Sequence, residues 1–436
     1  MTQPTLARAE CALPDSPLAA ERRGIDACVH CGFCLQACPT YLALEDENDS
    51  PRGRVLLMRS LLDGTLAPDD TAVERHIAQC LGCRACETAC PSGVPYGRLL
   101  EATRETLAEY RPIPFVARAI LTTFRRPALL AMAMMLGRVL RATRLPMLFA
   151  KLGGRIGFSM AMLASTERPI AARAYAANGK GATPRGRVAL LTGCVMEGLF
   201  AETNRATERT LDVNGYERIA APEQRCCGAL HAHAGDGEGA RALARANVAA
   251  FERANPDFIG VNAAGCGAMM KEYAHLLASD PAWAERAARV AAKVRDVSEL
   301  LSAAGPATGA PLPMRVTYDA PCHLLHAQRV STPPLNVLRA IPQLELVPLA
   351  DSDQCCGSAG IYNLIEPDVS NAVLAAKLRR VGEANAGLVA TGNPGCLMQI
   401  GAGLVQAGSQ TRVVHPVDLL DASYARRSSG GRDASP

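Results

Sequence analysis

The stretch Cys28-Val-His-Cys31-Gly-Phe-Cys34-Leu-Gln-Ala-Cys38-Pro39 decides the fold of the first part of the chain, and its pattern recurs as Cys80-Leu-Gly-Cys83-Arg-Ala-Cys86-Glu-Thr-Ala-Cys90-Pro91. In each copy three cysteines are spaced three residues apart, and a fourth stands directly before a proline. Three thiolates at this spacing can wrap one face of an iron–sulfur cube, and the fourth is offered to a neighbouring cluster. Zinc also binds paired Cys-x-x-Cys motifs, but zinc binding does not account for the third cysteine or for the proline in each copy. The two copies therefore predict two [4Fe–4S] clusters.

In this interpretation, each copy supplies the fourth cysteine ligand of the other copy's cluster. The predicted ligands of the first cluster are Cys28, Cys31, Cys34 and Cys90. The predicted ligands of the second cluster are Cys80, Cys83, Cys86 and Cys38. Residues 54–62 and 96–110 are predicted helices beside these loops, an arrangement that resembles the α-helical ferredoxin domain in iron–sulfur subunits of flavin dehydrogenases. Two clusters in one small domain predict an electron relay.

The composition excludes several classes of protein. The chain has 436 residues, 17 cysteines and a formal net charge of +4, and aromatic residues make up only 4%. This charge is too small for nucleic-acid binding through bulk positive charge, and the scarcity of aromatic residues argues against base-stacking surfaces. An odd number of cysteines fits poorly with a disulfide scaffold, and residues 1–20 lack the pattern of a secretory signal. We therefore expect a cytoplasmic metalloprotein, with Cys11 as an unligated thiol in a mobile N-terminal tail.

The middle of the chain is basic and apolar. Residues 111–155 contain eight arginines and one lysine, without a single aspartate or glutamate. Two interpretations stay open: an amphipathic surface for anionic lipid or an acidic partner, or a helical connector whose arginines are solvated. No run of 18 apolar residues occurs, so a helix that spans a bilayer is not expected. Pro146 and Gly153–Gly154 predict that the helices here are short, and residues 172–187 have the composition of a linker.

The C-terminal half repeats itself. Its eight grouped cysteines are Cys194, Cys226, Cys227 and Cys266, then Cys322, Cys355, Cys356 and Cys396. The flanking residues match at nearly constant separation, as Thr192-Gly-Cys194 does with Ala320-Pro-Cys322. Strand signals alternate with helix signals in both copies. The predicted strands are 188–191, 218–221 and 258–261 in the first copy and 315–318, 344–347 and 388–391 in the second. This alternation predicts parallel βαβ units in a Rossmann-like fold. The cysteines follow the C-terminal ends of the predicted strands, where open α/β sheets bind ligands.

This repeat resembles the cysteine-rich CCG domain of heterodisulfide reductase subunits and related dehydrogenase subunits. The resemblance implies an iron–sulfur centre at each motif, in some members a noncubane one with five cysteines. Here Ala263 and Asn393 stand where the family often has a further cysteine, so four thiolates remain at each site. Four are enough for a [4Fe–4S] cube or a zinc ion. Whether the nearby histidines bind metal, relay protons or only form hydrogen bonds stays open; they are His231, His233, His323 and His326.

Residues 15–425 together resemble the iron–sulfur subunit of glycolate oxidase (glycolate dehydrogenase). Asp49-Ser-Pro-Arg-Gly-Arg54 and Ala320-Pro-Cys-His-Leu-Leu-His-Ala-Gln328 carry the resemblance beside the cysteine motifs. It implies a chain without flavin and without catalytic residues of its own. A flavin partner subunit would take a hydride from the 2-hydroxy acid, and this chain would pass the electrons to a quinone or other acceptor at the membrane. The sequence agrees, because no Gly-x-Gly-x-x-Gly fingerprint follows a predicted strand.

Three alternatives remain: a heterodisulfide-reductase-like subunit, an anaerobic glycerol-3-phosphate dehydrogenase subunit, and a zinc-stapled assembly scaffold. The expected fold is an α+β multidomain chain. Residues 1–110 form an α-helical ferredoxin-type domain and 111–186 a basic helical linker. Residues 187–305 and 312–425 form the first and second CCG repeats. We expect a cytoplasmic location. The basic stretch also allows the chain to bind peripherally to the cytoplasmic face of the inner membrane.

Overall fold

The protein is described by a computed structural model that covers residues 11–167, 170 and 185–428. Its N-terminal part is helical. The helices are α1 (Pro17–Ala20), α2 (Arg22–Asp26), α3 (Pro39–Leu44), α4 (Pro51–Leu62), α5 (Thr71–Ala78), α6 (Ala85–Ala89) and α7 (Tyr96–Tyr110), with a 3-10 turn at Glu47–Asp49. Most of the predicted linker at 172–187 lies outside the described residues.

Local sequence explains where the central helix of this part begins and what it buries. Pro51 occupies the first turn of α4, where its missing N–H costs nothing, and the Ser50 hydroxyl accepts a hydrogen bond from the Gly53 amide at 3.0 Å. Apolar residues recur at helical spacing along one face, and Val55, Met58 and Leu62 are almost completely buried. This face packs with α1, α2 and α7 into one core, which positions the two cysteine loops at its edge.

Cys11 belongs to this core. Its side chain packs against the buried cluster, and the neighbouring Ala12 amide donates to the Leu62 carbonyl at 2.8 Å. The prediction of a mobile tail was therefore wrong at Cys11, because the thiol adds apolar surface to the helical core.

The basic middle forms four helices: α8 (Phe115–Arg125), α9 (Pro127–Ala142), α10 (Leu145–Phe149) and α11 (Gly154–Ala164). The predicted breaks are confirmed, since Pro146 lies in the first turn of α10 and Gly154 begins α11. No residue of α9 is buried. Among the described residues, no single helix is long and apolar enough to cross a bilayer; α8 and α9 meet that length and composition only when taken together, with a bend of 104° between them.

The C-terminal half contains two four-stranded sheets in which all neighbouring strands are parallel. The first sheet has the order β2-β1-β3-β4, with β1 (Arg187–Leu190), β2 (Glu217–Ile219), β3 (Phe258–Val261) and β4 (Val294–Asp296). The second has the order β6-β5-β7-β8, with β5 (Arg315–Tyr318), β6 (Glu345–Val347), β7 (Leu388–Ala390) and β8 (Arg412–Val414). Ala189 pairs with Ile219 and Ile259 as Thr317 pairs with Val347 and Val389, so the duplication extends to the strand register.

Helices follow the strands in both repeats. In the first repeat they are α12 (Val195–Leu199), α13 (Ala201–Val213), α14 (Ala229–His233), α15 (Gly237–Ala254), α16 (Ala264–Lys271), α17 (Tyr273–Leu276), α18 (Ala284–Ala292) and α19 (Val297–Ala304). In the second they are a π-helix at His323–Ala327, then α20 (Thr332–Arg339), α21 (Tyr362–Ile365), α22 (Pro367–Ala384), α23 (Pro394–Gln406) and α24 (Pro416–Ser428). The helical N-terminal part and the two α/β repeats are as expected; the four domain boundaries stay predictions.

Candidate metal centres

The cysteines of the first predicted cluster surround one cavity near the surface. Its lining includes Cys28, Cys31, Cys34 and Cys90. Gly32 lies between two of them with φ +87°, a conformation that lets the loop turn tightly around the cavity. Val29 and Phe33 expose 68% and 67% of their surface beside it. This group, called here the first cage, therefore lies under an exposed apolar surface.

The cysteines of the second predicted cluster line a separate cavity, called here the second cage. They are Cys38, Cys80, Cys83 and Cys86. The Tyr96 hydroxyl donates to the Cys80 sulfur at 3.6 Å, and the Gly82 amide donates to the same sulfur at 3.4 Å. Hydrogen bonds to ligand sulfur raise the reduction potential of an iron–sulfur centre. The structure thus brings together the two sets of four that the motif spacing predicts, and the ligand roles themselves stay predictions.

The chemistry of these donors fits iron–sulfur clusters. Among the described residues all seventeen cysteines are free thiols. Burial raises the pKa of Cys34 to about 11 and raises the pKa of Cys38 and Cys86 above their usual range, so the bare thiolates are costly here. A bound cationic metal reverses this penalty, because it deprotonates the thiols that coordinate it. The converging thiols, buried in the second cage and mostly half-buried in the first, are therefore suited to binding a metal.

A buried arginine lies beside the second cage. The side chain of Arg54 is 0% exposed and forms an ion pair with Asp49 at 3.0 Å. It also donates to the Thr40 hydroxyl at 3.0 Å and to the His76 carbonyl at 2.6 Å. Burial opposes its charge, yet neighbouring groups, Cys80 first among them, raise the pKa of Arg54 above its ordinary value. Asp49-Ser-Pro-Arg-Gly-Arg54 carries part of the family resemblance, but nothing in that stretch of sequence indicates that Arg54 lies beside the cage.

The two CCG groups face one another across a single cavity of about 380 Å³. All eight cysteines line it: Cys194, Cys226, Cys227 and Cys266 from one repeat, and Cys322, Cys355, Cys356 and Cys396 from the other. The sulfurs of Cys194 and Cys226 are 3.6 Å apart, and those of Cys322 and Cys355 are 4.0 Å apart. Each group has the sulfur donors that a metal centre requires, and the shared cavity is a feature that spacing along the chain does not reveal.

The second cage touches this cavity. Cys83 packs with Cys322 and Cys355 in one buried cluster. A hydrogen bond with Cys355 is the main cause that raises the pKa of Cys83. The pKa of Cys355 is lowered, by Cys322 first and also by Cys83. The helical N-terminal part and the second repeat therefore meet where a sulfur atom of one predicted metal group contacts sulfur atoms of the other.

Ala263 and Asn393 stand where the family often has a further cysteine, and their surroundings differ. The Asn393 amide donates to the Cys396 sulfur at 3.5 Å, and its side-chain oxygen accepts from the Gly265 amide at 3.1 Å. Asn393 thus supports a cysteine of its own repeat and joins it to the other repeat. Ala263 is buried at the start of α16.

The four histidines have different surroundings. His326 is held between the Thr88 hydroxyl at 2.9 Å and the Asp353 carbonyl at 3.0 Å, so it joins the second repeat to the N-terminal part. His231 contacts the Leu121 carbonyl through Nε2 at 3.1 Å. His323 lies 3.5 Å from the Cys322 sulfur, and burial lowers its pKa to about 3. His233 contacts Glu101 at 3.0 Å through Nδ1.

Replacement of Gly357 by alanine is expected to lower the free energy of unfolding by about 1–3 kcal/mol, because Gly357 has φ +87° after the vicinal cysteines. A Cβ atom there would lie 2.6 Å from the Ser370 carbonyl oxygen. The matched control is Gly382→Ala in α22, where a Cβ atom has nothing within 4 Å and the change stabilises by about 0.5–1 kcal/mol. Denaturant unfolding of both variants checks this, and equal stability of the two would contradict it.

The fold and the paired cysteine sites define an iron–sulfur protein, and comparison with known proteins agrees. Residues 24–94 match the 4Fe-4S dicluster domain family, and residues 188–271 and 316–401 match the cysteine-rich domain family. The "Probable glycolate oxidase iron-sulfur subunit" of Bacillus subtilis is 37% identical over 425 residues, which is 92% of this chain and 94% of the relative. The "Glycolate oxidase iron-sulfur subunit" of Escherichia coli is 33% identical over 91% of this chain and 93% of its own length.

A third relative covers only part of the chain. The "Lactate utilization protein A" of Geobacillus thermodenitrificans is 31% identical over 237 residues, 54% of this chain and 98% of its own length. The relatives that extend over nine-tenths of both chains show the family. The chain belongs to the glycolate oxidase iron–sulfur subunit family, and it is an electron-transfer subunit.

Proposed function

We propose that this chain relays electrons within a flavin-dependent glycolate (2-hydroxy acid) dehydrogenase complex, from a flavin partner subunit to a quinone or other acceptor. The observation that carries the proposal is the continuity of the cysteine groups. The second cage contacts the CCG cavity through Cys83 and Cys355, and both N-terminal cages lie on one small helical core. Electron transfer along a series of centres requires that neighbouring centres lie close together, and the contact between these cysteine groups supports the proposal.

The proposed ligand sets are those of the sequence analysis. Cys28, Cys31, Cys34 and Cys90 hold one [4Fe–4S] cluster, and Cys80, Cys83, Cys86 and Cys38 hold the second. The eight CCG cysteines hold further iron–sulfur or zinc. When bound, an iron–sulfur cluster takes up and releases one electron at a time. The chain's own residues bury the sulfurs of the second cage, donate hydrogen bonds to Cys80, and place the Arg54 cation beside this cage.

The flavin partner is proposed to dock over the first cage. Val29 and Phe33 are exposed apolar side chains on the loop that holds Cys28, Cys31 and Cys34, and Cys31 itself is exposed. Apolar groups at this position would be covered by a partner, and electrons would then enter at the cage closest to the surface.

The test combines metal analysis with electron transfer. Chain purified without air is expected to contain iron and acid-labile sulfide, with low-temperature EPR signals on reduction. With the flavin partner and glycolate, the complex should reduce ferricyanide. Colourless protein that contains only zinc would favour the scaffold alternative. Reduction of a heterodisulfide in place of glycolate-driven electron transfer would favour the heterodisulfide-reductase-like one.

A peripheral position on the cytoplasmic face of the inner membrane is proposed from the surface of α8–α10. Phe115, Val116 and Leu136 are exposed by 82%, 62% and 57%, and the surrounding charged residues of this stretch are all basic. Apolar side chains with a cationic rim suit the interface of an anionic bilayer.

Vesicle sedimentation tests this surface. The double replacement Phe115→Ser and Leu136→Ser is expected to lower partitioning onto phosphatidylglycerol vesicles at least about tenfold, because each buried apolar side chain contributes roughly 1.5–3 kcal/mol. The control Leu56→Ser removes an apolar side chain that is 52% exposed on α4 and should leave partitioning unchanged. Equal binding of the double variant and the native chain would show that α8 and α9 do not contact the membrane.

A further inference from the structure

A second cleft lies between the N-terminal part and the two repeats, with a volume of about 240 Å³. Its lining is mainly apolar and includes Ile77, Leu107, Ile113, Leu230, Ile361 and Ile365. An apolar cavity of roughly 150 Å³ holds benzene, so this cleft has room for a substituted six-membered ring. The segment that leads into α8, including Pro112 and Pro114, forms one of its walls. The cleft thus borders the helix whose exposed face we assign to the membrane.

The cleft is in contact with the second cage. Cys80 and Leu81 line both the cage and the cleft, so a molecule in the cleft would lie against a predicted cluster ligand. Leu81 also lines the CCG cavity. A molecule in the cleft would therefore lie close to two predicted metal groups.

Most polar side chains around the cleft already have protein partners. Arg104 donates to the Cys80 carbonyl at 2.6 Å and to the His233 carbonyl at 2.8 Å. The Tyr362 hydroxyl donates to the Gln79 carbonyl at 2.7 Å. His233 is different: its Nδ1 contacts Glu101 at 3.0 Å, and its Nε2 has no hydrogen-bond partner among the described residues. His233 lines both this cleft and the CCG cavity, so Nε2 is the ring nitrogen that a ligand bound there can contact.

We propose that this cleft binds the ring of a lipid-soluble quinone, with His233 Nε2 in hydrogen-bond contact with one of the two quinone oxygens. The inference rests on the proposed function and assigns the place where its acceptor is reduced. In the reaction the quinone takes up two electrons, which come from oxidation of the 2-hydroxy acid in the flavin partner. Its two carbonyl oxygens take up two protons from solvent at the open side of the cleft and become hydroxyl groups. The apolar lining holds the ring, and the isoprenoid tail leaves toward α8.

Two variants test the site, each with a matched control. Ala108→Trp fills the cleft from α7, and Ala288→Trp adds the same side chain at an exposed position of α18. His233→Asn removes the ring nitrogen Nε2 and keeps a side-chain amide near Glu101. Its control is His275→Asn, which changes a histidine paired with Glu21 at 3.2 Å away from the cleft.

The first readout is photolabelling of the iron-loaded chain with a short-chain azidoquinone, and it needs no turnover. We expect label on peptides that contain residues 104–117 and 359–366, and excess decylubiquinone should prevent it. Ala108→Trp should lower this label about tenfold or more, and both controls should label like the native chain. Label of equal strength in Ala108→Trp, or label elsewhere in the native chain, would overturn the proposal.

The second readout is the ratio of glycolate-driven decylubiquinone reduction to ferricyanide reduction by the complex with its flavin partner. His233→Asn should lower this ratio about tenfold through a raised KM for the quinone, as the loss of one hydrogen bond predicts. An unchanged ratio in both cleft variants would overturn the site and leave the relay intact. Absence of ferricyanide reduction by the native complex would instead refute the proposed function, and the site with it.

Discussion

Replacement of Arg54 by glutamine is expected to lower the free energy of unfolding of the N-terminal part by about 3–5 kcal/mol. The arginine is 0% exposed and its partner Asp49 is 4% exposed, so the substitution leaves a buried carboxylate without its cation. It also removes the hydrogen bonds to Thr40 and to the His76 carbonyl. Bleaching of the visible iron–sulfur absorbance in guanidinium measures the loss of stability.

The control for this prediction lies two residues earlier in the same helix. Arg52 pairs with Glu47 at 2.6 Å, but the two side chains are 32% and 49% exposed. Arg52→Gln should therefore cost no more than about 1 kcal/mol. Redox titration by EPR gives a second readout: loss of the Arg54 cation should lower the potential of the second cluster, because the reduced form carries more negative charge. If the midpoint potential of the second cluster were the same in Arg54→Gln and Arg52→Gln, the role assigned to the buried arginine would be contradicted.

Replacement of Cys83 by serine is expected to reduce glycolate-driven acceptor reduction at least about 100-fold. Loss of a group that only supports a metal ligand already weakens affinity or activity 10–100-fold, and Cys83 is a proposed ligand. Its sulfur also contacts Cys355, so the substitution removes the contact between the second cage and the CCG cavity. A relay in series stops when one of its centres is lost.

The matched control is Cys11→Ser, since Cys11 stands outside all four cysteine groups and packs against the helical core. It should keep iron, sulfide and electron transfer at native levels. Cys83→Ser should lose acid-labile sulfide and one EPR signal. Unchanged acceptor reduction by Cys83→Ser in the assembled complex would argue against the relay itself.

Sequence patterns predicted most of the secondary structure because the apolar residues follow clear periods. Helix α7 and strands β3 and β5 have the predicted bounds, and the predicted helix at 54–62 is three residues longer in the structure. Strands β4 and β8 were missed. Each has only three residues and includes at least one charged residue, so the apolar run is too short to be a reliable strand signal. They form the outer edges of their sheets, where pairing with a neighbouring strand and not local propensity decides the structure.

By itself the sequence determined which cysteines form groups, because three-residue spacing and the order of the repeats are properties of the chain. Only the tertiary structure decided how the four cysteine groups lie relative to one another. Packing of α3 and α6 against the second repeat brings Cys83 to Cys355, and the two repeats enclose one cavity where the pattern alone indicates two separate sites. The same packing buries Arg54 beside the second cage and opens the cleft that Cys80 shares with His233. Contacts between segments so far apart in the chain arise from burial of apolar surface, which is not directional and leaves no local pattern in the sequence.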